Sequence, residues 1–193
     1  MQLLLATSNP HKVSEIREVF QNQAAAGGPA LELVDLSMLE RPIQDPVEDG
    51  RTFEANALLK ARFYARATGM LCLADDSGLQ VDALGGRPGV HSARYAGVRG
   101  PRSAADRANN ALVLCGPGDT GALASVRGTV EGRIIGPAEA PRGEHGFGYD
   151  PLFLVPQLGR TTAELTPGEK NAISHRGRAA HLMWMRIREL NRD

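Results

Sequence analysis

The chain has 193 residues, 42% hydrophobic and 23% charged, with 22 basic residues balanced by 22 acidic ones, a mixture that fits one soluble globular domain with a substantial interior. The balance provides no global field for a nucleic acid polymer or an anionic membrane, so any anion must be bound locally. No apolar run spans a bilayer, and MQLLLATSN lacks the charged leader of a signal peptide, so the expected location is the cytoplasm.

Residues 2–6, QLLLA, predict a short strand that passes through the polar loop TSNPHK into a helix, VSEIREVFQNQ, on which Val13, Ile16, Val19 and Phe20 share one face. Strand, loop and helix start present backbone N–H groups to an anion, with Thr7, Ser8 and Asn9 as further donors and Lys12 as a point charge. The plainer alternative is a Ser/Asn helix cap beside an exposed lysine. AAAGGPA connects to a second strand, LELVDL, and a Pro-rich loop over 41–52 then carries Asp45, Glu48 and Asp49. The helix that follows, 53–69, has Ala57, Leu58, Ala61, Phe63, Tyr64 and Ala65 for packing and Gly69 as its stop. On such a helix Lys60 reads as solvated unless phosphates lie close.

The stretch LCLADDSGLQVDALGG, 71–86, is the centre of the chain. Leu71 to Ala74 predict a buried strand that ends on Asp75 and Asp76, followed by Ser77 and the turn-former Gly78. Adjacent carboxylates repel unless a cation or shared proton intervenes, and Mg²⁺ takes one or two carboxylates while leaving its other positions to water and phosphates. An Asp-Ser-Gly turn is the competing explanation. A loop acid from 45–49 could supply a third carboxylate.

A glycine-rich loop follows, and SAADRANNA then begins like a helix capped by Ser103 but runs straight into apolar LVLC. Residues 122–134 alternate as a strand pair or one bent strand, with Gly128 and Gly132 at bends or bulges. In EHGFGYDPLFLV, Phe147 between glycines suits the stacking of a flat base, or equally a buried strand-entry aromatic, before a strand at LFLV. The chain closes on a helix with Leu182, Met185 and Ile187 among its apolar residues, Pro167 and Ser174 as breaks or starts, and Lys170, His175 and Arg176 ahead of its main body. Cys72 and Cys115 are far apart in sequence and read as packed free thiols.

Five segments in one order, ATSNPHK, VEDGRTFEANALLKAR, LADDSGLQVDALGGRPGVHSARYAG, GFGYDPLF and EKNAISHRG, closely resemble the non-canonical purine nucleoside triphosphate pyrophosphatases, the inosine triphosphatase or dITP/XTP pyrophosphatase family. The resemblance implies a mixed α/β fold, with a long central sheet flanked by helices and two lobes around an active-site cleft, in a homodimer. It implies Mg²⁺-dependent hydrolysis of ITP, dITP and XTP to the monophosphate and pyrophosphate. Carried onto this chain, it implies that Thr7, Ser8, Asn9, Pro10, His11 and Lys12 hold the triphosphate, with Lys60 near the phosphates. Asp76 becomes the proton acceptor and metal ligand, Asp75 and Lys12 support it, Ser77 contacts substrate, and Glu48 shares the cation. Phe147, Gly148, Tyr149 and Asp150 line the base pocket, and Lys170, His175 and Arg176 read the purine.

The chain departs from the family pattern twice. Ala55 stands where relatives carry a Glu, with Glu54 one position early. RANNALVLCGPGD replaces a longer helix, loop and strand, which leaves a central strand and dimerisation in question. Rival functions are a pyrophosphatase for other modified nucleotides, or a nucleotide-binding regulator without catalysis.

Overall fold

The computed structural model describes residues 1–27, 31–94, 106–118, 121–136 and 138–191. Seven strands form one sheet in the order β2-β1-β3-β4-β5-β6-β7. They are β1 (Gln2–Ala6), β2 (Glu32–Asp35), β3 (Cys72–Val81), β4 (Asp106–Cys115), β5 (Ala124–Ile134), β6 (Phe153–Val155) and β7 (Arg160–Thr161). Only β1 makes parallel pairs, with β2 and β3; every pair from β3 to β7 is antiparallel. The helices are α1 (Pro10–Ala25), α2 (Phe53–Thr68), α3 (Pro167–Ile173) and α4 (His175–Leu190).

Strand alternation sorts the core into two faces. Leu3, Leu5, Leu73, Leu112 and Leu114 meet Val13, Ile16, Val19 and Phe20 of α1 and Ala179, Met183, Trp184 and Ile187 of α4. Leu4, Ala6, Cys72, Ala74, Ala111 and Val113 turn to the other face and meet Phe53, Ala57, Ala61 and Tyr64 of α2. Each fully buried Leu stabilises the fold by about 1.5–3 kcal/mol relative to exposure. The face predicted for α1 is the buried one, and Gly69 ends α2 in the left-handed conformation at φ 69°. On α4, by contrast, Leu182 and Met185 are exposed, and Ala179, Ala180, Met183 and Trp184 pack beside Ile187.

Several local expectations give way to the sheet. β3 does not end at Ala74; it continues through Asp75, Asp76, Ser77 and Gly78, each paired with a residue of β4. SAADRANNA is not a helix from Asp106 onward, because those residues belong to the ten-residue β4; Ser103 lies outside the described residues. The segment questioned from the sequence thus supplies a central strand paired on both sides. Gly128 and Gly132 make no bulge, since the β4–β5 register is unbroken. At Gly128 a Cβ would collide with the His175 carbonyl and the Ala179 amide, so the glycine lets the start of α4 lie directly on the strand. Cys72 and Cys115 sit opposite one another in the β3–β4 register as buried free thiols.

The C-terminal helix is two helices. Thr166 caps α3 in a reciprocal box with Glu169, and Ser174 ends α3 while its hydroxyl accepts from Gly177 N at 3.0 Å to start α4. Such a cap contributes about 1 kcal/mol. The break places Lys170 at the end of one helix and His175 and Arg176 at the start of the next.

Candidate functional site

The topology itself opens the site. β1 pairs with β3 only as far as Ala6 against Ala74, so from Asp75 onward β3 has β4 on one side and no strand on the other. A crevice beyond the carboxyl end of a parallel strand is a usual place for a ligand. A cavity of about 910 Å³ occupies this position. Its walls include Asn9, Lys12, Glu48, Lys60, Asp76, Ser77, Phe147, Gly148, Tyr149, Asp150, Lys170, His175 and Arg176.

The first loop divides between two spaces. Asn9 caps α1, its Oδ1 accepting from His11 N at 3.0 Å and Lys12 N at 3.4 Å, and Asn9 and Lys12 reach the cavity. Thr7, Ser8 and Pro10 instead line a separate pocket of about 720 Å³ with Arg17 and Asp35. His11 stacks on the Phe147 ring, with centroids 5.1 Å apart and planes at 15°. Asn9 thus both caps the helix and lines the cavity, while Lys12 is not the exposed lysine of the plainer alternative but a mostly buried partner of Asp75.

Because β3 stays extended, the side chains of Asp75 and Asp76 leave opposite faces of the strand. Asp75 is 1% exposed and takes Lys12 at 3.0 Å, Arg176 Nε at 3.7 Å and the Asn110 amide at 3.0 Å. Burial pushes its pKa up, but Lys12, Arg176 and Lys60 outweigh that and hold it well below the ordinary carboxylate range. Asp76 lines the cavity. Its Oδ1 accepts from Ser77 N at 3.0 Å, its Oδ2 from Asn56 at 3.0 Å, and Lys60 lies 4.0 Å away. Here burial prevails over Lys60 and Asn56, and the pKa is raised. Two neighbouring acids of one type therefore hold different places: one is a buried counter-ion and the other a more basic carboxylate facing open space.

Lys60, solvated on helix pattern alone but near the phosphates by the family resemblance, lies in the cavity wall and pairs with Glu48 at 3.0 Å. Glu48 and Asp76 therefore meet at one ammonium group. Among the described residues there is no cluster of three or more metal-ligating side chains. Two carboxylates around a cationic centre, with room for phosphate oxygens and water, fit the sparse protein ligation of Mg²⁺. Glu54 takes no part, pairing instead with Arg127 at 3.0 Å outside the cavity.

In the Gly146–Asp150 turn, positive φ at Gly146 (78°) and Gly148 (62°) carries the chain around Phe147, whose N–H donates to Asp150 Oδ2 at 2.7 Å. Lys170 Nζ stands 5.2 Å from the Phe147 centroid and Arg176 Cζ 5.4 Å from it. Asp150 accepts from Lys170 at 2.7 Å and from Thr162 at 2.8 Å, while the Tyr149 hydroxyl donates to Ser92 O at 3.1 Å. Glu15 accepts from Lys170 at 2.7 Å and from Arg176, and Arg176 also donates to Ser77 Oγ at 3.0 Å.

Glu15, Asn56 and Asn110 are the working residues that sequence reasoning missed. Glu15 lies three positions after Lys12, on the same side of α1, a spacing that could have revealed it. Asn56 stands within a quoted motif, and Asn110 becomes visible only through strand register.

His175 is partly buried beside Arg176, Lys170 and Lys12, and burial with those cations lowers its pKa well below 6.5. An unfolded His takes its proton near pH 6.5. The unfolded chain thus binds that proton first, and folding stability falls as pH drops below about 6.5 toward the folded-state value. The urea midpoint is expected to decrease between pH 7.5 and 5.5, and His175→Asn to remove part of that decrease. An equal decrease in the variant excludes His175 as the source.

A model of the Ham1 family matches residues 3–185. The dITP/XTP pyrophosphatase of Thermus thermophilus is 46% identical over 200 residues, covering 93% of this chain and 88% of that protein. The dITP/XTP pyrophosphatase of Corynebacterium diphtheriae is 43% identical over 203 residues, covering 93% of each. The solved structure of a HAM1 protein from Coxiella burnetii superposes with a TM-score of 0.81 at 35% identity, covering 98% of this chain and 99% of that one. The Ham1 protein of Staphylococcus aureus gives 0.77 at 34% identity, covering 96% and 97%.

Proposed function

This chain belongs to the Ham1 family, and from that premise we propose that it hydrolyses deaminated purine nucleoside triphosphates, ITP, dITP and XTP, to the monophosphate and pyrophosphate. One observation carries the reading. A single cavity is lined both by Lys12, Lys60, Glu48 and Asp76 and by Phe147, Lys170, His175 and Arg176, so one nucleotide can meet both sets.

The triphosphate lies along Lys12 and Lys60, whose ammonium groups offset its charge before a nucleophile approaches. Asp76 orients a water and takes its proton; the water oxygen bonds to the α-phosphorus, and the bond from that phosphorus to the bridging oxygen breaks, releasing pyrophosphate. The raised pKa of Asp76 makes it the better base of the pair. Glu48 and Asp76 would hold Mg²⁺, which when bound neutralises phosphate oxygens. At the base, Lys170 and Arg176 offer donors that a 6-oxo group accepts and a 6-amino group leaves unpaired. Glu15 and Asp150 hold these cations in place beforehand.

No helix among the described residues is long and apolar enough to cross a membrane. The family reading adds a cytoplasmic homodimer that takes a nucleotide with Mg²⁺. The regulator reading rested on the shortened middle; β4 pairs there with both β3 and β5, which supports the enzyme reading.

Pyrophosphate release measured with Mg²⁺ on ITP, XTP, dITP, ATP, dUTP and methylated triphosphates tests the proposal. The expected result is kcat/KM on ITP and XTP at least about 100-fold above ATP. Comparable rates on ATP, a preference for dUTP or a methylated substrate, or binding of ITP without pyrophosphate release overturns it.

A further inference from the structure

The segment 45–50 is fastened to α2 at three points. The Tyr64 hydroxyl donates to Asp45 Oδ1, Lys60 pairs with Glu48 at 3.0 Å, and Asn56 Oδ1 accepts from Gly50 N at 2.8 Å. Asn56, Lys60 and Tyr64 follow one another at four-residue intervals, so they form one stripe along the helix. The partners run in the opposite order, which lays the segment antiparallel to α2. Eight helical residues rise about 12 Å. The five steps from Asp45 to Gly50 extend at most about 17 Å, enough to span the stripe with little slack.

Asn56 also works at its other end. Its Nδ2 donates to Asp76 Oδ2 at 3.0 Å, and Lys60 stands 4.0 Å from the same carboxylate. A closed ring results, running from Asp76 through Asn56 and Gly50 to Glu48, then through Lys60 back to Asp76. Asn56 is 3% exposed and Tyr64 1%, so each polar group must be satisfied where it lies. Helix propensity gives no reason for Asn at position 56, since Ala would favour the helix more. The ring does give one.

We infer that Asn56 and Tyr64 are positioning residues: they hold segment 45–50 so that Glu48 stands opposite Asp76 as a ready pair for a divalent cation, and keep it there when Glu48 exchanges the Lys60 ammonium for that cation. This rests on the reading of Glu48 and Asp76 as the cation's ligands. The outer clamps at Asp45 and Gly50 do not involve the exchanging carboxylate, which is why the segment stays in register during the exchange. In this respect the ring resembles the outer hydrogen bonds around metal ligands, whose loss typically costs about 10–100-fold in metal affinity or activity.

The test uses the full chain and two readouts: the Mg²⁺ concentration for half-maximal ITP hydrolysis, and Mn²⁺ binding followed by its paramagnetic resonance signal. Asn56→Ala is expected to raise both half-saturation values by about 10–100-fold, and excess Mg²⁺ to restore most of its kcat. Tyr64→Phe keeps the ring in the core, removes only the Asp45 bond, and shifts both values the same way by a smaller factor. If Asn56→Ala does not fold, Tyr64→Phe decides alone. Glu48→Gln is the control. Weakened metal binding in Glu48→Gln with wild-type values in the positioning variants overturns this inference alone, whereas unchanged binding in Glu48→Gln overturns the ligand reading and this inference with it. A loss of kcat that excess Mg²⁺ does not restore also counts against positioning.

Discussion

Asp76→Asn is expected to lower kcat on ITP by about 10²–10⁴-fold, the usual contribution of a positioned general base, while KM changes little. The amide keeps the shape of the side chain and its oxygen can still accept from Ser77 N, but its nitrogen then faces the Asn56 donor, and it cannot accept a proton from water. Stability should respond far less. The folded state raises the pKa of Asp76, so at neutral pH the ionised form is less favoured in the native chain than in the unfolded one. A neutral side chain relieves that cost while the lost Asn56 bond opposes it, and the melting temperature is expected to stay nearly level. The charge is retained for chemistry at some expense to the fold, a common trade at active sites. Near-normal turnover in the variant would remove Asp76 from the reaction. A large fall in melting temperature would mean that the carboxylate is structural.

Asp75→Ala is expected to do the opposite, lowering unfolding free energy by about 3–5 kcal/mol, because it leaves Lys12 and Arg176 facing an empty buried position. For a chain of this size that corresponds to roughly 6–20 °C in melting temperature. The pH dependence carries the same signature. The folded pKa of Asp75 is depressed, so its contribution is present above the unfolded value of about 3.9 and is lost as pH falls from there toward the folded value. Wild-type stability should therefore drop across that acid window, and the variant should show a shallower drop. Differential scanning calorimetry at pH 7 and urea titrations below pH 5 measure both effects. A change under about 1 kcal/mol at pH 7, with an unaltered acid slope, would show that Lys12 and Arg176 find other partners.

Local signals made much of this molecule legible. Val13, Ile16, Val19 and Phe20 repeat at helical spacing and pack as one face; Gly69 and Ser174 end or start helices through their own backbone and side-chain chemistry. The failures share a cause. Asp-Ser-Gly has the local preferences of a turn, and no local rule registers the ten pairings with β4 that keep those residues extended. Asn109 and Asn110 read as part of a helix start, yet in β4 their side chains bond to Gln80, Arg127 and Asp75, all distant in sequence. The same limit hid the division between Asp75 and Asp76, which depends on which side of an extended chain each occupies. Helix pattern alone left Lys60 solvated, and only the resemblance pointed to it, because its two acidic neighbours come from a loop and a strand that the fold brings together.

The uninterrupted course of β3 has a consequence for how the molecule can move. A carboxylate carried on an interior strand has almost no travel independent of the sheet, whereas Glu48 rides on a loop segment pinned to α2 on either side of it. The two acids are thus fixed by separate pieces of chain, one through strand pairing and the other through side chains of a helix. An incoming nucleotide would meet two walls that are set in advance by different elements.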